Sequence, residues 1–103
     1  MRLEHYPVKK LEKEVLQIVS RYLDTNFYKI FFFGSRVRGT NFPRADIDIG
    51  IEGPEEIPSA KKITIEDDLN NLPILYKIDF VDFKNVSEEF KQEALKYKEP
   101  IEL

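Results

Sequence analysis

Apolar residues recur along this chain in two different periods, and the changes between them mark out its elements. From Val8 to Leu23, the residues Leu11, Val15, Ile18, Val19 and Tyr22 return every three or four positions with Lys and Glu between them. That spacing predicts an amphipathic helix with one stripe turned to a core. Asp24 to Tyr28 breaks the period and leads into Lys29 to Phe33, whose apolar run Ile30-Phe31-Phe32-Phe33 predicts a buried strand. The run stops at Gly34-Ser35, and a short helical turn is expected at Ser35 to Arg38 with Ser35 as its cap. Thr40 to Ala45, containing Asn41 and Pro43, makes a return loop into a second strand, Asp46 to Ile51. There the alternation puts Asp46 and Asp48 on one face and Ile47, Ile49 and Ile51 on the other.

Gly53, Pro54 and Pro58 punctuate the exit from that strand. A second helix is predicted over Ser59 to Asn71, with Ile65, Leu69 and Leu72 as its buried edge and Pro73 marking its end. The third strand is Tyr76 to Phe83. Asn85 and Ser87 are candidate caps for a last helix, Asn85 and Glu88 standing at capping-box spacing and Phe90, Ala94 and Tyr97 facing inward. No repeat, linker or low-complexity tract interrupts this order, which reads as an α/β chain of three strands flanked by helices.

Length and charge narrow the function classes. With 103 residues, a single domain over 1–103 with one modest core is expected. A hydrophobic share of 42% indicates a folded globule rather than a disordered chain. The net charge of −3 argues against a broad basic surface, so a template-dependent polymerase is not expected. Cysteine is absent, which excludes disulfides and thiolate metal sites. No apolar run approaches a membrane span and the N-terminus lacks a signal-peptide core, so a cytoplasmic protein is expected.

The chemistry concentrates between the first two strands. Gly34-Ser35 ends a strand where backbone N–H groups are free to bind an anion. After ten intervening residues come Asp46 and Asp48, side by side on one strand face. At ~6 Å and an effective dielectric of about 20, two bare carboxylates repel by roughly 3 kcal/mol. A divalent cation removes that penalty, and oxygen-only ligands favour Mg²⁺, with Mn²⁺ as a substitute, shared with substrate phosphates. The third strand carries two further acids on opposite faces: Asp79 lies with Lys77, Val81 and Phe83, and Asp82 with Ile78 and Phe80. Only one of them can face the site. Arg36 and Arg38 stand two apart in a short helical turn and cannot both point the same way. The single histidine, His5, lies in an unpatterned segment and reads as a surface residue.

The segment GSRVRGTNFPRADIDIGIEG resembles the signature of the DNA polymerase beta superfamily of nucleotidyltransferases. It is most similar to the minimal nucleotidyltransferase group, and the order of elements on either side extends the resemblance over most of the chain. Ala45 departs from the pattern, since many relatives carry Ser before the first carboxylate. The resemblance implies an α+β, polymerase-beta-like fold with a small mixed three-stranded core sheet. It implies Asp46 and Asp48 as metal ligands and favours Asp79, in the apolar-Asp-apolar pattern Ile78-Asp79-Phe80, as third acid and general base; Asp82 is then a strand-end acid near solvent. Gly34 and Ser35 would hold the terminal phosphates. Arg38, followed by Gly39 as in relatives, would neutralise the triphosphate, with Arg36 as second candidate. The implied reaction is transfer of AMP from ATP to a hydroxyl. In the antitoxin-type (type VII-like) members of the group, the acceptor is a tyrosine of a helical HEPN ribonuclease toxin. The alternatives are a small-molecule acceptor bound by a partner subunit and a non-catalytic antitoxin that acts by forming a complex.

Overall fold

The structure, a computed structural model, describes residues 1–102. Along the chain lie α1 (Val8–Ser20), β1 (Lys29–Phe33), α2 (Ser35–Arg38), β2 (Ile47–Glu52), α3 (Ser59–Asn70) and β3 (Ile78–Asp82). A 3₁₀ turn (Phe83–Asn85), α4 (Glu88–Ala94) and β4 (Lys98–Pro100) complete it. The strands form one mixed sheet in the order β3-β2-β1-β4. β1 runs antiparallel to both β2 and β4, whereas β2 and β3 are parallel. A parallel pair needs a crossover, and α3 supplies it.

Period-2 alternation sorts the side chains cleanly. Ile30 and Phe32 of β1, Ile47, Ile49 and Ile51 of β2, and Ile78 and Phe80 of β3 join Leu11, Val15, Ile18 and Val19 of α1 and Ile65 and Leu69 of α3 in the main core. The opposite face carries a smaller cluster of Phe31, Phe33 and Phe83. Their rings meet edge to face, with centroids 5.1 Å apart for Phe31–Phe83 and Phe33–Phe83. Gly50, paired with Phe31, makes room for this cluster, because a Cβ there would enter the Phe31 and Phe83 rings. α1 and α3 therefore cover one face of the sheet, and α4 stands over part of the other.

The expected α+β class and the mixed sheet hold, but the sheet has four strands rather than three. β4 is three residues, Lys-Glu-Pro, with no apolar period to announce it. It forms because β1 has a free edge, and Phe33 pairs with Lys98 and Phe31 with Pro100. Regular α1 stops at Ser20, and Arg21 and Tyr22 donate three residues back, to Ile18 and Val19. Gly34, not Ser35, occupies the cap position of α2. Ser87 caps α4, its hydroxyl accepting from the Phe90 N–H at 3.1 Å, while Asn85 is absorbed into the 3₁₀ turn. Phe90 and Tyr97, expected to face inward, are 42% and 46% exposed. The seven residues of α4 bury none of their side chains fully, so the helix roofs the sheet's open face without closing it.

Candidate active site

The sheet's open face ends at the turn after β1. Gly34 has φ +83° and ψ −161°, a conformation L side chains rarely adopt, and a Cβ there would fall inside the Asp48 Oδ2 atom's contact radius. Glycine is thus required twice, by backbone and by neighbour. It lets the chain turn directly against the Asp48 carboxylate and present the first N–H groups of α2, which have no intrahelical acceptor.

Asp48 faces that turn from β2, where it pairs with Phe33 on one side and with Asp79 of β3 on the other. Two carboxylates thus stand opposite each other in a parallel ladder. Burial first, then the charges of Asp79 and Asp46, push the Asp48 carboxyl up to about 6, while the Arg36 guanidinium pulls it down. Asp46 precedes β2, on the same side of the chain as Asp48 by parity. Its charge reaches Asp48, although its side chain does not line the cavity described below.

β3 is an edge strand, and α3 side chains occupy its outer edge. Asn70 accepts from the Ile78 N–H and donates to the Ile78 carbonyl, both at 2.9 Å, and Glu66 accepts from the Phe80 N–H at 3.0 Å. These two residues, which no local pattern singles out, hold the strand on either side of Asp79. Asp82 does end β3, as expected, but it is not near solvent. It is only 4% exposed and accepts from the Ile57 and Lys84 N–H groups at 2.8 and 2.9 Å, on the face opposite Asp79. Its oxygens are committed to backbone. Asp79 stays partly open, with Lys77 Nζ 3.7 Å away.

The two arginines separate as their spacing requires, but neither is a free surface charge. Arg36, the second candidate for the triphosphate, is 6% exposed. Its guanidinium donates to the Ala45 carbonyl at 2.7 and 2.9 Å and to the Pro43 carbonyl at 3.1 Å, and it stacks on Tyr76. It fastens the return loop that delivers Asp46, with its Nε and Nη2 engaged by backbone. Arg38 reaches the other way, donating to Glu93 of α4 at 3.1 Å and lying 4.9 Å over the Tyr97 ring.

Phe33, Gly34, Arg38, Asp48, Asp79 and the α4 side enclose a cavity of about 430 Å³. A larger hollow of about 710 Å³ lies between α1 and the β4 edge, and none of the three acids lines it. Volume and chemistry point to different places, and the chemistry decides. Oxygen donors on neighbouring strands, with one carboxyl raised by burial and then by like charge, suit a hard divalent cation, which would relieve the repulsion. Among the described residues no three His, Asp or Glu side chains form a ready ligand cage. Phosphate oxygens would complete the shell, the usual arrangement for Mg²⁺. Of the expected residues, the cavity brings together Gly34, Arg38, Asp48 and Asp79; Asp46, Ser35 and Arg36 do not line it. Val81, Phe90, Glu93, Ala94 and Tyr97 also line it. Phe90, Glu93 and Ala94 share one face of α4, and Tyr97 follows just past the helix end; the residues expected to close a core wall the cleft instead.

Comparison with known proteins fits this geometry. The structure resembles that of a toxin–antitoxin with AMP-PNP, at TM-score 0.73 and 19% identity over 88% of this chain and 72% of that one. It also resembles a complex of a tri-AMPylated Shewanella oneidensis HEPN toxin with an MNT antitoxin, at TM-score 0.71 and 16% identity over 91% and 71%. The toxin–antitoxin MntA-HepT gives TM-score 0.69 at 15% identity over 91% and 71%. At these identities the likeness is one of fold. No curated protein matches the chain. Residues 13–101, however, match the family described as polymerase beta, nucleotidyltransferase. That span takes in the turn, all three acids and every strand of the sheet, and the chain belongs to the polymerase beta nucleotidyltransferase family.

Proposed function

We propose that this protein is a Mg²⁺-dependent adenylyltransferase that moves AMP from ATP to a tyrosine hydroxyl of a helical HEPN-type toxin, and so acts as an antitoxin. The observation that carries the reading is the ladder pairing of Asp48 with Asp79 beside the Gly34 turn, on a cavity that Arg38 also lines. The likeness to toxin–antitoxin complexes, one containing a tri-AMPylated HEPN toxin, supports the choice of acceptor. An acidic, compact chain with no helix among its described residues long and apolar enough to cross a membrane suits work in the cytoplasm.

The acceptor oxygen attacks the α-phosphorus, the bond to the bridging oxygen breaks, and pyrophosphate leaves. Asp46, Asp48 and Asp79 would hold Mg²⁺, which when bound neutralises triphosphate charge and acidifies the acceptor hydroxyl. The Gly34 and Ser35 N–H groups orient the terminal phosphates. Arg38 exchanges the Glu93 carboxylate for phosphate oxygens, an equivalent charge-assisted bond. Asp79, partly open at the cavity, takes the acceptor proton. Arg36 keeps the Asp46 loop in place throughout.

The test is transfer of α-labelled ATP, with Mg²⁺, onto the purified HEPN-type product of the adjacent gene, set against the Asp48→Asn variant. Label on the partner that disappears in the variant supports the reading. A stable complex without label would turn it toward neutralisation by contact, and label on an added small hydroxyl compound alone toward another acceptor.

A further inference from the structure

Among the described residues, six large apolar side chains stand exposed: Phe27, Phe42, Ile63, Leu75, Phe90 and Tyr97. Only Phe90 and Tyr97 line the cavity that holds Asp48 and Asp79. The cavity therefore joins two kinds of wall: Gly34, Arg38 and the carboxylates are polar or charged, and Phe33, Val81, Ala94 and the two aromatic rings are apolar. Its volume of about 430 Å³ lies in the range of small-ligand sites. A ligand that carries both anionic groups and a flat aromatic ring matches both kinds of wall. We infer that Phe90 and Tyr97 form the shelf on which the nucleobase of the triphosphate stacks. This inference rests on the nucleotidyl reading of the same site and names its base-binding half.

Two features position the shelf. The β1–β4 ladder pairs Phe33 with Lys98, so its continuation brings Tyr97 level with Gly34, and the short fourth strand ties the ring to the phosphate turn. Phe90 is fixed at its rim by Phe33 and Phe83, with centroids 6.2 and 5.8 Å away, yet keeps 42% of its surface exposed. The guanidinium of Arg38 now lies over Tyr97 and bonds Glu93. A nucleotide replaces both contacts at once: its phosphates take the guanidinium, and its base takes the ring face that the guanidinium leaves. Stacking tolerates every base, since each has a π-face. On the α4 side the lining's polar groups are the Glu93 carboxylate and the Tyr97 hydroxyl, so the shelf favours purines by stacking area and separates adenine from guanine weakly.

The experiment measures binding of a non-hydrolysable ATP analogue and of inorganic tripolyphosphate, each with Mg²⁺, to the full chain and to Tyr97→Leu and Tyr97→Phe. The wild type should bind the analogue about tenfold or more tighter than tripolyphosphate. Tyr97→Leu should remove most of that difference and leave tripolyphosphate affinity unchanged, which also reports an intact fold; Tyr97→Phe should restore it. Analogue affinity untouched by Tyr97→Leu, or both ligands weakened equally, would overturn the shelf while leaving the transferase reading standing. A wild type that binds neither ligand would overturn the transferase reading and the shelf with it.

Discussion

Replacing Asp48 by asparagine separates what the site costs the fold from what it does for the reaction. Without a cation, the Asp48 carboxyl is pushed up to about 6 from an ordinary 3.8, by burial and by the charges of Asp79 and Asp46. Between those two values the native chain binds this proton more tightly than the unfolded chain does. Stability therefore falls as pH rises through that window and levels off above it. A difference of about two units is worth about 3 kcal/mol at full strength. Water reaching a half-buried carboxylate reduces this to on the order of 1–2 kcal/mol. In urea denaturation without Mg²⁺, the wild type should lose that amount between about pH 3.5 and pH 7. Asp48→Asn should lack this component and be the more stable protein at the higher pH by a similar margin. Adding Mg²⁺ should close the gap, since binding at a hundredfold excess over Kd contributes about 2.7 kcal/mol to the native state alone. A variant no more stable than wild type at pH 7.5, with the same pH slope, would refute the reasoning.

Gly34→Ala drives a methyl into Asp48 Oδ2 at φ +83°; it should cost about 1–3 kcal/mol in denaturation and abolish calorimetric binding of Mg²⁺–tripolyphosphate. Asp82→Ala leaves the Ile57 and Lys84 N–H groups without their acceptor and should destabilise by about 2–4 kcal/mol. Asp79→Asn should instead keep its stability and slow transfer about a hundredfold or more; exchanged phenotypes would make Asp82 the site acid. Arg36→Ala releases the Pro43 and Ala45 carbonyls and should cost about 2–3 kcal/mol. Arg38→Ala, by contrast, should shift stability by less than about 0.5 kcal/mol while weakening triphosphate binding about tenfold in the same titration.

The β1 turn and the β2 acids were legible because each is a local pattern: an apolar run ending in Gly-Ser, and carboxylates alternating with isoleucine. The same alternation placed Ile47, Ile49 and Ile51 in the core, where all three are fully buried. What could not be read depended on partners remote in sequence. Parity showed that Asp79 and Asp82 oppose each other, but only the neighbours of β3 show which face meets Asp48 and which meets the Ile57 N–H. Nothing near Arg36 signals the two carbonyls, seven and nine residues on, that take its Nε and Nη2 donors. The face of Phe90, Ala94 and Tyr97 was visible as a face, yet period alone cannot distinguish a helix stripe that closes a core from one that walls a cleft. β4 has no pattern of its own and exists because β1 offers an edge.

The pairing of Asp48 with Asp79 in the β2–β3 ladder also decides which kinds of damage this protein can absorb. Neighbouring strands lie about 4.8 Å apart whatever side chains they carry, so the span between the two carboxylates is set by backbone hydrogen bonds. Exchanges of one aliphatic residue for another beneath the sheet can drain stability without altering that span, and sequence can drift far while the chemistry keeps its dimensions. Register is the opposite case. A slip of one residue between β2 and β3 would turn Asp79 to the far face, leaving a chain of nearly unchanged helix and strand content that has lost half its site.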